Sequence, residues 1–180
     1  PRCHIIYPIP ISLVFNANLG DTFTDPAIVL PMVKYQTVEG KQALRNLVAR
    51  RVRLDLLFEN PDLVDDLIAM SGGAVRDLMR LIRMACDRVD DVITRVDVEA
   101  AIQQYVREFD RFLREADFES LRYVRKHQRV TADTMFSRPL QLRLIHEYQN
   151  GERWAALHPA LQRLPWVEEA LEDGDQPSSQ

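Results

Sequence analysis

This chain is poor in cysteine and in long apolar runs. Its two cysteines, Cys3 and Cys86, stand far apart and form no CxxC pair. That excludes a disulfide framework, fits a reducing cytoplasm and predicts two core thiols. No run approaches the roughly 18 apolar residues that a membrane helix needs. The most apolar segment, "IIYPIPISLVF", is short, holds two prolines and lacks the basic start of a signal peptide. No membrane partner is expected. The common catalytic patterns are missing as well. There is no HExxH, no GxSxG and no cluster of metal ligands. The four histidines, His4, His127, His146 and His158, are scattered, and each is expected to be structural or exposed. GxxxxGK[ST] does not occur, so the usual backbone cradle for a nucleotide phosphate is excluded.

What remains is ordinary in bulk. The chain has 180 residues, 46% hydrophobic and 28% charged, with a formal net charge of -4. That allows one or two small domains with real cores and gives no general affinity for nucleic acid. Charge is unevenly spread. Lys41 to Arg53 holds five basic residues and no acid, and Arg122 to Arg143 holds six against the single acid Asp133. Glu168 to Asp175 holds five acids and no base. The chain begins with Pro1 and runs straight into apolar residues, so it reads as a piece of a longer polypeptide.

His4 to Tyr7 predicts a short buried strand ended by Pro8 and Pro10. Ile11 to Asn16 suggests a short helix, and "AIVLPMVKY" a second buried strand. The period then changes. Leu44, Leu47, Val48 and Val52 form one stripe between Glu39 and Arg53. Asn60-Pro61 predicts a helix start, with Asn60 as cap and Pro61 at the first helical position. Gly72-Gly73 ends that helix, and the next opens at once. In the new helix Val75, Leu78, Met79, Ile82, Cys86 and Val89 read as the buried stripe. A fourth helix, capped by Asp97, carries Val98, Ile102, Tyr105, Val106, Phe109, Phe112 and Leu113 inward. A fifth, over "DFESLRYVRKHQRV", has a cap at Asp117. Asn150-Gly151 between alternating apolar residues is a strong hairpin signal. Helices followed by one hairpin suggest a winged helix-turn-helix. Tyr148 and Trp154 flank the turn as hairpin core. "PWVEEALEDGDQPSSQ" reads as a short helix and a polar, disordered tail that close the chain.

The most specific stretch is "SGGAVRDLMRLIRMACDRV". Two glycines allow a tight turn. The helix after them has free N–H groups and a positive dipole end. Arg76 sits in its first turn, where a cation is locally unfavourable, which points to an anion or a carboxylate nearby. Arg80 and Arg83 continue that face, with Asp77 and Asp87 as candidate ion-pair partners. A second basic cluster comprises Arg122, Arg125, Lys126 and Arg129, with Arg138, Arg143 and Arg153 near the hairpin. In a winged helix such residues could contact DNA phosphates. The alternative is ordinary solvated surface on a domain that contacts protein.

"SGGAVRDLMRLIRMA" resembles the sensor-2 helix of AAA+ and related STAND ATPases, in which a GG-x-x-R-D-L pattern opens a lid helix. "HIIYPIPISLVF" resembles the strand that carries sensor 1 in such proteins, "AIVLPMVKYQT" resembles the last core strand, and "LIHEYQNGERWAALHP" resembles the wing of the winged-helix domain that follows the lid in origin-initiator-like and STAND members. The resemblance covers Cys3 to Pro165. It implies a mainly α chain: a helical lid bundle, then a winged helix-turn-helix with a β-hairpin, plus two short strands left from an α/β core. The implied division is 1–36 for the end of the core, 37–116 for the lid, 117–167 for the winged helix, and 168–180 for a disordered acidic tail. It also implies that Arg76, on the Gly72-Gly73 turn, reaches a γ-phosphate held by a missing N-terminal core. ATP and magnesium would then belong to the full-length protein, with none expected in this chain. DNA, a protein partner or an oligomer would be the contact of the winged helix. Both Walker motifs are absent, and no arginine lies between Arg2 and Arg45 to serve as an arginine finger.

Overall fold

A computed structural model describes residues 30–173 continuously, together with Ile6, Pro8 to Pro10 and Ile28. The strand expected at His4 to Tyr7 lies, apart from Ile6, outside the described residues. So do Cys3, the helix expected at Ile11 to Asn16 and the last seven residues.

The described chain is mainly helical, with one two-stranded antiparallel sheet. Helix α1 spans Val38–Ala49 and α2 Leu54–Leu57. Helix α3 spans Leu63–Met70, α4 Val75–Cys86, α5 Arg95–Phe112, α6 Phe118–His127 and α7 Ser137–Gln141. Strands β1, Ile145–Asn150, and β2, Glu152–Leu157, form the hairpin, and α8 covers Pro165–Asp173.

Local chemistry sets the helix ends. Thr37 caps α1 by accepting from the Gly40 N–H at 3.0 Å. The start of α3 falls later than Asn60-Pro61 predicts. Asn60 accepts from the Asp62 N–H at 2.9 Å, which closes a turn over Pro61, and the helix begins at Leu63. The cap of α5 is Thr94 rather than Asp97. Asp97 stands at the third helical position and accepts from the Thr94 N–H at 3.0 Å, forming a reciprocal capping box. Gln128 ends α6 in the left-handed region.

Helices α1, α3, α4 and α5 pack on one another around Leu44, Val48, Leu67, Leu78, Leu81, Ile102 and Tyr105. The same buried cluster continues through Phe118, Leu121, Phe136, Leu140 and Ile145 to Val167 and Leu171. The division expected at 116/117 therefore falls inside one continuous core. Two further expectations are corrected. Residues 30–35 form no strand: Leu30 and Pro31 are exposed, and the chain turns at Tyr35 and Gln36, where the Thr37 N–H donates to the Lys34 carbonyl. Residues 168–173 are helix rather than disordered tail, because Val167 and Leu171 bury one face of α8 and Arg125 holds Glu168 at 3.2 Å.

The hairpin register runs from Ile145 opposite Leu157 to Asn150 opposite Glu152. Pairing is thus centred on Gly151, with φ +77°, rather than on the Asn150–Gly151 bond. Tyr148 and Trp154 face each other across the strands with rings stacked at 4.2 Å, and Tyr148 is fully buried, as expected of hairpin core. The helix immediately before the hairpin, α7, has only five residues.

Candidate functional site

The buried face of α4 is displaced from the predicted stripe. Leu78, Leu81, Ile82, Met84 and Ala85 are buried, whereas Val75 is 37% exposed and Met79, Cys86 and Val89 are only half-buried. The displacement carries Asp77 fully inside. Its partner is therefore not Arg80 or Arg83. Arg143, in the turn between α7 and β1, places Nε 3.1 Å from Asp77 Oδ2. That is a charge contact whose angle falls short of a hydrogen bond. Arg80 pairs instead with Glu108 on α5, and Arg83 lies 3.7 Å from Asp87.

Around Asp77 lies a compact polar cluster inside the core. His146 and Tyr148 project from the same side of β1, two residues apart. Both meet the Gly72 carbonyl. The Tyr148 hydroxyl donates to it at 2.7 Å, and His146 Nδ1 sits 3.1 Å away. A carbonyl only accepts, so Nδ1 carries the proton and His146 Nε2 keeps a lone pair. His158, just after β2, accepts the Ala160 N–H on Nδ1 at 3.0 Å, which leaves its proton on Nε2. That nitrogen lies 3.4 Å from the Tyr105 hydroxyl on α5. Burial raises the Asp77 carboxyl above its ordinary value, with Arg143 pulling the other way. Burial also holds His146 down to about 4 and His158 well below its ordinary range. The Tyr105 and Tyr148 hydroxyls are pushed up by burial. At neutral pH both histidines are neutral.

Asp77, His146 and His158 bring ligating atoms within 4.8 Å of one another, the one such group among the described residues. The donor set fits a metal poorly. The Arg143 guanidinium already stands against the carboxylate, and a second positive charge would be repelled. A neutral imidazole that ligates through Nε2 must carry its proton on Nδ1, where His158 is already accepting the Ala160 N–H. The cluster is better described as a polar seam joining α4, α5 and the hairpin.

Gly72 and Gly73 are buried beneath this seam, with φ +59° and +83°. A Cβ on Gly72 would lie 2.6 Å from His146 Nδ1, and one on Gly73 would lie 1.8 Å from the Val33 carbonyl oxygen. Val33 also donates its N–H to the Gly73 carbonyl at 3.3 Å. The glycines are needed because the hairpin and residues 32–33 close over the turn. Arg76, by contrast, is exposed, and no ion pair to it occurs among the described residues.

The second cluster does not gather into one basic surface. Arg122 donates to the Ala170 carbonyl at 2.7 Å, at the end of α8. Arg125 holds Glu168. Arg129 Nε donates to the Tyr123 hydroxyl at 3.3 Å. Arg138 pairs with the buried Asp117 and donates to the Phe112 carbonyl at 2.6 Å. Arg143 pairs with Asp77, and Arg153 with Glu147 across the hairpin at 3.1 Å. Lys126 is exposed and without a partner among the described residues. In α1, Lys41 and Arg45 turn to Asp62 and Asp65 around α3.

No protein-family model, no curated protein and no solved structure matches the chain. Among the described residues, no helix is long and apolar enough to cross a membrane.

Proposed function

We propose that this chain is the C-terminal regulatory portion of an AAA+/STAND-type ATPase. Arg76 senses bound nucleotide, and the hairpin-bearing module passes that state to a partner. The observation that carries this reading is the division of the first turn of α4. Asp77 is drawn inward to Arg143, while Arg76 is left in solvent at the positive end of a helix. A guanidinium in solvent, with no ion pair among the described residues, suits a phosphate, onto which it forks with two parallel donors.

ATP with magnesium would supply the γ-phosphate from a core outside this chain. The chain itself contributes the fork of Arg76 and no phosphate cradle, so turnover belongs to a polypeptide that carries GxxxxGK[ST]. Of the two outputs open to the module, a protein partner is favoured over DNA. Arg122, Arg125, Arg138, Arg143 and Arg153 all spend their guanidinium groups within the fold.

The test is ATP turnover in the polypeptide that contains the core. Arg76→Ala should lower kcat by about 10-fold or more, as expected for a lost transition-state contact. Arg83→Ala, on an exposed side chain, should not. Wild-type turnover in both variants rejects the sensing role and leaves a non-enzymatic regulator or adaptor.

A further inference from the structure

The Gly72 carbonyl takes two side-chain contacts, from His146 at 3.1 Å and from Tyr148 at 2.7 Å, both on β1. Five residues further on, Asp77 meets Arg143 at the root of the same strand. The Met32 N–H donates to the Glu147 carbonyl at 3.0 Å, and the Val33 N–H donates to the Gly73 carbonyl at 3.3 Å. The turn that launches α4 is thus gripped on both sides of Arg76 in sequence. All of the grips lead to β1 or to residues lying against it. Solvent reaches Arg76 itself, but the backbone around it is held by groups 40 or more residues away in the chain.

We propose that Tyr148, through the Gly72 carbonyl, and Arg143, through Asp77, are positioning residues that fix the orientation of Arg76 and tie it to the hairpin. The proposal rests on the reading of Arg76 given above. Arg76 is the second residue of α4, and its long side chain rotates freely, but the place its Cα takes is fixed by the backbone of this turn. Any displacement of that backbone must carry Gly72 and Asp77 with it, and so must displace β1 or break the contacts to it. Packed interfaces of this kind hold discrete arrangements rather than deforming smoothly, so a small displacement at the arginine becomes a shift of the hairpin. The geometry also assigns the direction of influence from the hairpin back to the arginine, because thermodynamic coupling is reciprocal.

The experiment is a double-mutant cycle in the polypeptide that carries the ATPase core, reading kcat and KM for ATP alongside thermal melting. Tyr148→Phe removes one hydroxyl and keeps the ring stacked on Trp154. It should lower kcat by several-fold with KM little changed, since a misaligned donor loses transition-state rather than ground-state contact. Arg143→Lys should retain more turnover than Arg143→Met. In an Arg76→Ala background, Tyr148→Phe should have no further effect on kcat. A fall in kcat of equal size with and without Arg76 would show that Tyr148 acts only through general stability. A Tyr148→Phe enzyme with wild-type kcat would overturn the proposal outright. Both of these outcomes leave the sensing role of Arg76 standing, whereas a wild-type Arg76→Ala enzyme removes that role and this proposal together.

Discussion

Arg76 and Asp77 are neighbours in sequence and opposites in environment: one is in solvent, and the other is fully buried against Arg143. The first turn of α4 is therefore a boundary between surface and core. Its chemistry on the inner side is the chemistry of a buried charge pair. Such a pair contributes little net stability compared with apolar packing, but losing one member strands the other.

Arg143→Met should accordingly cost about 3 kcal/mol or more at neutral pH, because it leaves a buried carboxylate without its cation. The penalty should shrink in acid. Burial already raises the Asp77 carboxyl, and without Arg143 it rises further. The folded variant then binds a proton that the unfolded chain, with an aspartate near pKa 3.9, does not. Its stability relative to wild type should therefore fall as pH rises through the folded value. Urea unfolding of both proteins at pH 5 and pH 8 measures this, and an equal difference at the two pH values would contradict it.

His146 gives the opposite sign. Its folded value is held down to about 4, from an ordinary value near 6.5. Between those values the unfolded chain takes up a proton that the folded chain excludes, so stability is full above about pH 6.5 and is lost as pH falls toward 4. The loss from this one residue is on the order of 3 kcal/mol. His146→Asn, whose amide can still donate to the Gly72 carbonyl, should flatten the acid limb of a plot of unfolding midpoint against pH. An unchanged acid limb would place the sensitivity elsewhere, with His158 the next group to replace.

Three glycines with positive φ should respond very differently to alanine. Gly151 has open space around its Cβ position, so Gly151→Ala should cost only the backbone strain, about 1 kcal/mol. Gly73→Ala drives a methyl to 1.8 Å from the Val33 oxygen and should be several times worse. Gly72→Ala meets His146 and Pro159 side chains at 2.6 Å and 2.9 Å and should fall between them. Thermal melting of the three variants tests the order.

The arginines already engaged within the fold make a further expectation for DNA. Each phosphate neutralised contributes about 0.9 to the slope of log K against log salt. With Lys126 unpaired among the described residues and Arg129 held only by a neutral hydroxyl, any binding to a short duplex should show a slope below about 3. A steeper slope would mean that ion pairs such as Arg125–Glu168 open on binding.

The sequence was informative where the signal was local. The Gly-Gly turn, the opening of α4 at Val75, the inward face of α5 as far as Phe109 and the existence of the hairpin all follow from residues a few positions apart, whereas Phe112, expected inward, is 48% exposed at the helix end. Helix starts moved by a few residues where a side chain found a better acceptor or donor, as at Thr94 and Asn60. The polar seam was hidden for a different reason. Asp77 meets Arg143 across 66 positions, and no local pattern joins them. One local hint did exist. Asp77, Leu81 and Met84 recur at helical spacing and share a side of α4, so a carboxylate stood among residues that pack inward. The fates of Arg122, Arg125, Arg138 and Arg143 were illegible because their partners, Ala170, Glu168, Asp117 and Asp77, are set by tertiary packing.

The Gly72 carbonyl, held by side chains 74 and 76 residues downstream, also bears on how the molecule is made. A ribosome delivers α1 to α5 long before it delivers β1. Until the hairpin emerges, the turn between α3 and α4 has no lid, and the carboxylate of Asp77 lacks Arg143. Closure of so distant a contact is slow relative to helix formation. The nascent helices should therefore wait as a loosened bundle, and a polypeptide stopped short of residue 158 should be a substrate for proteases rather than a smaller folded domain.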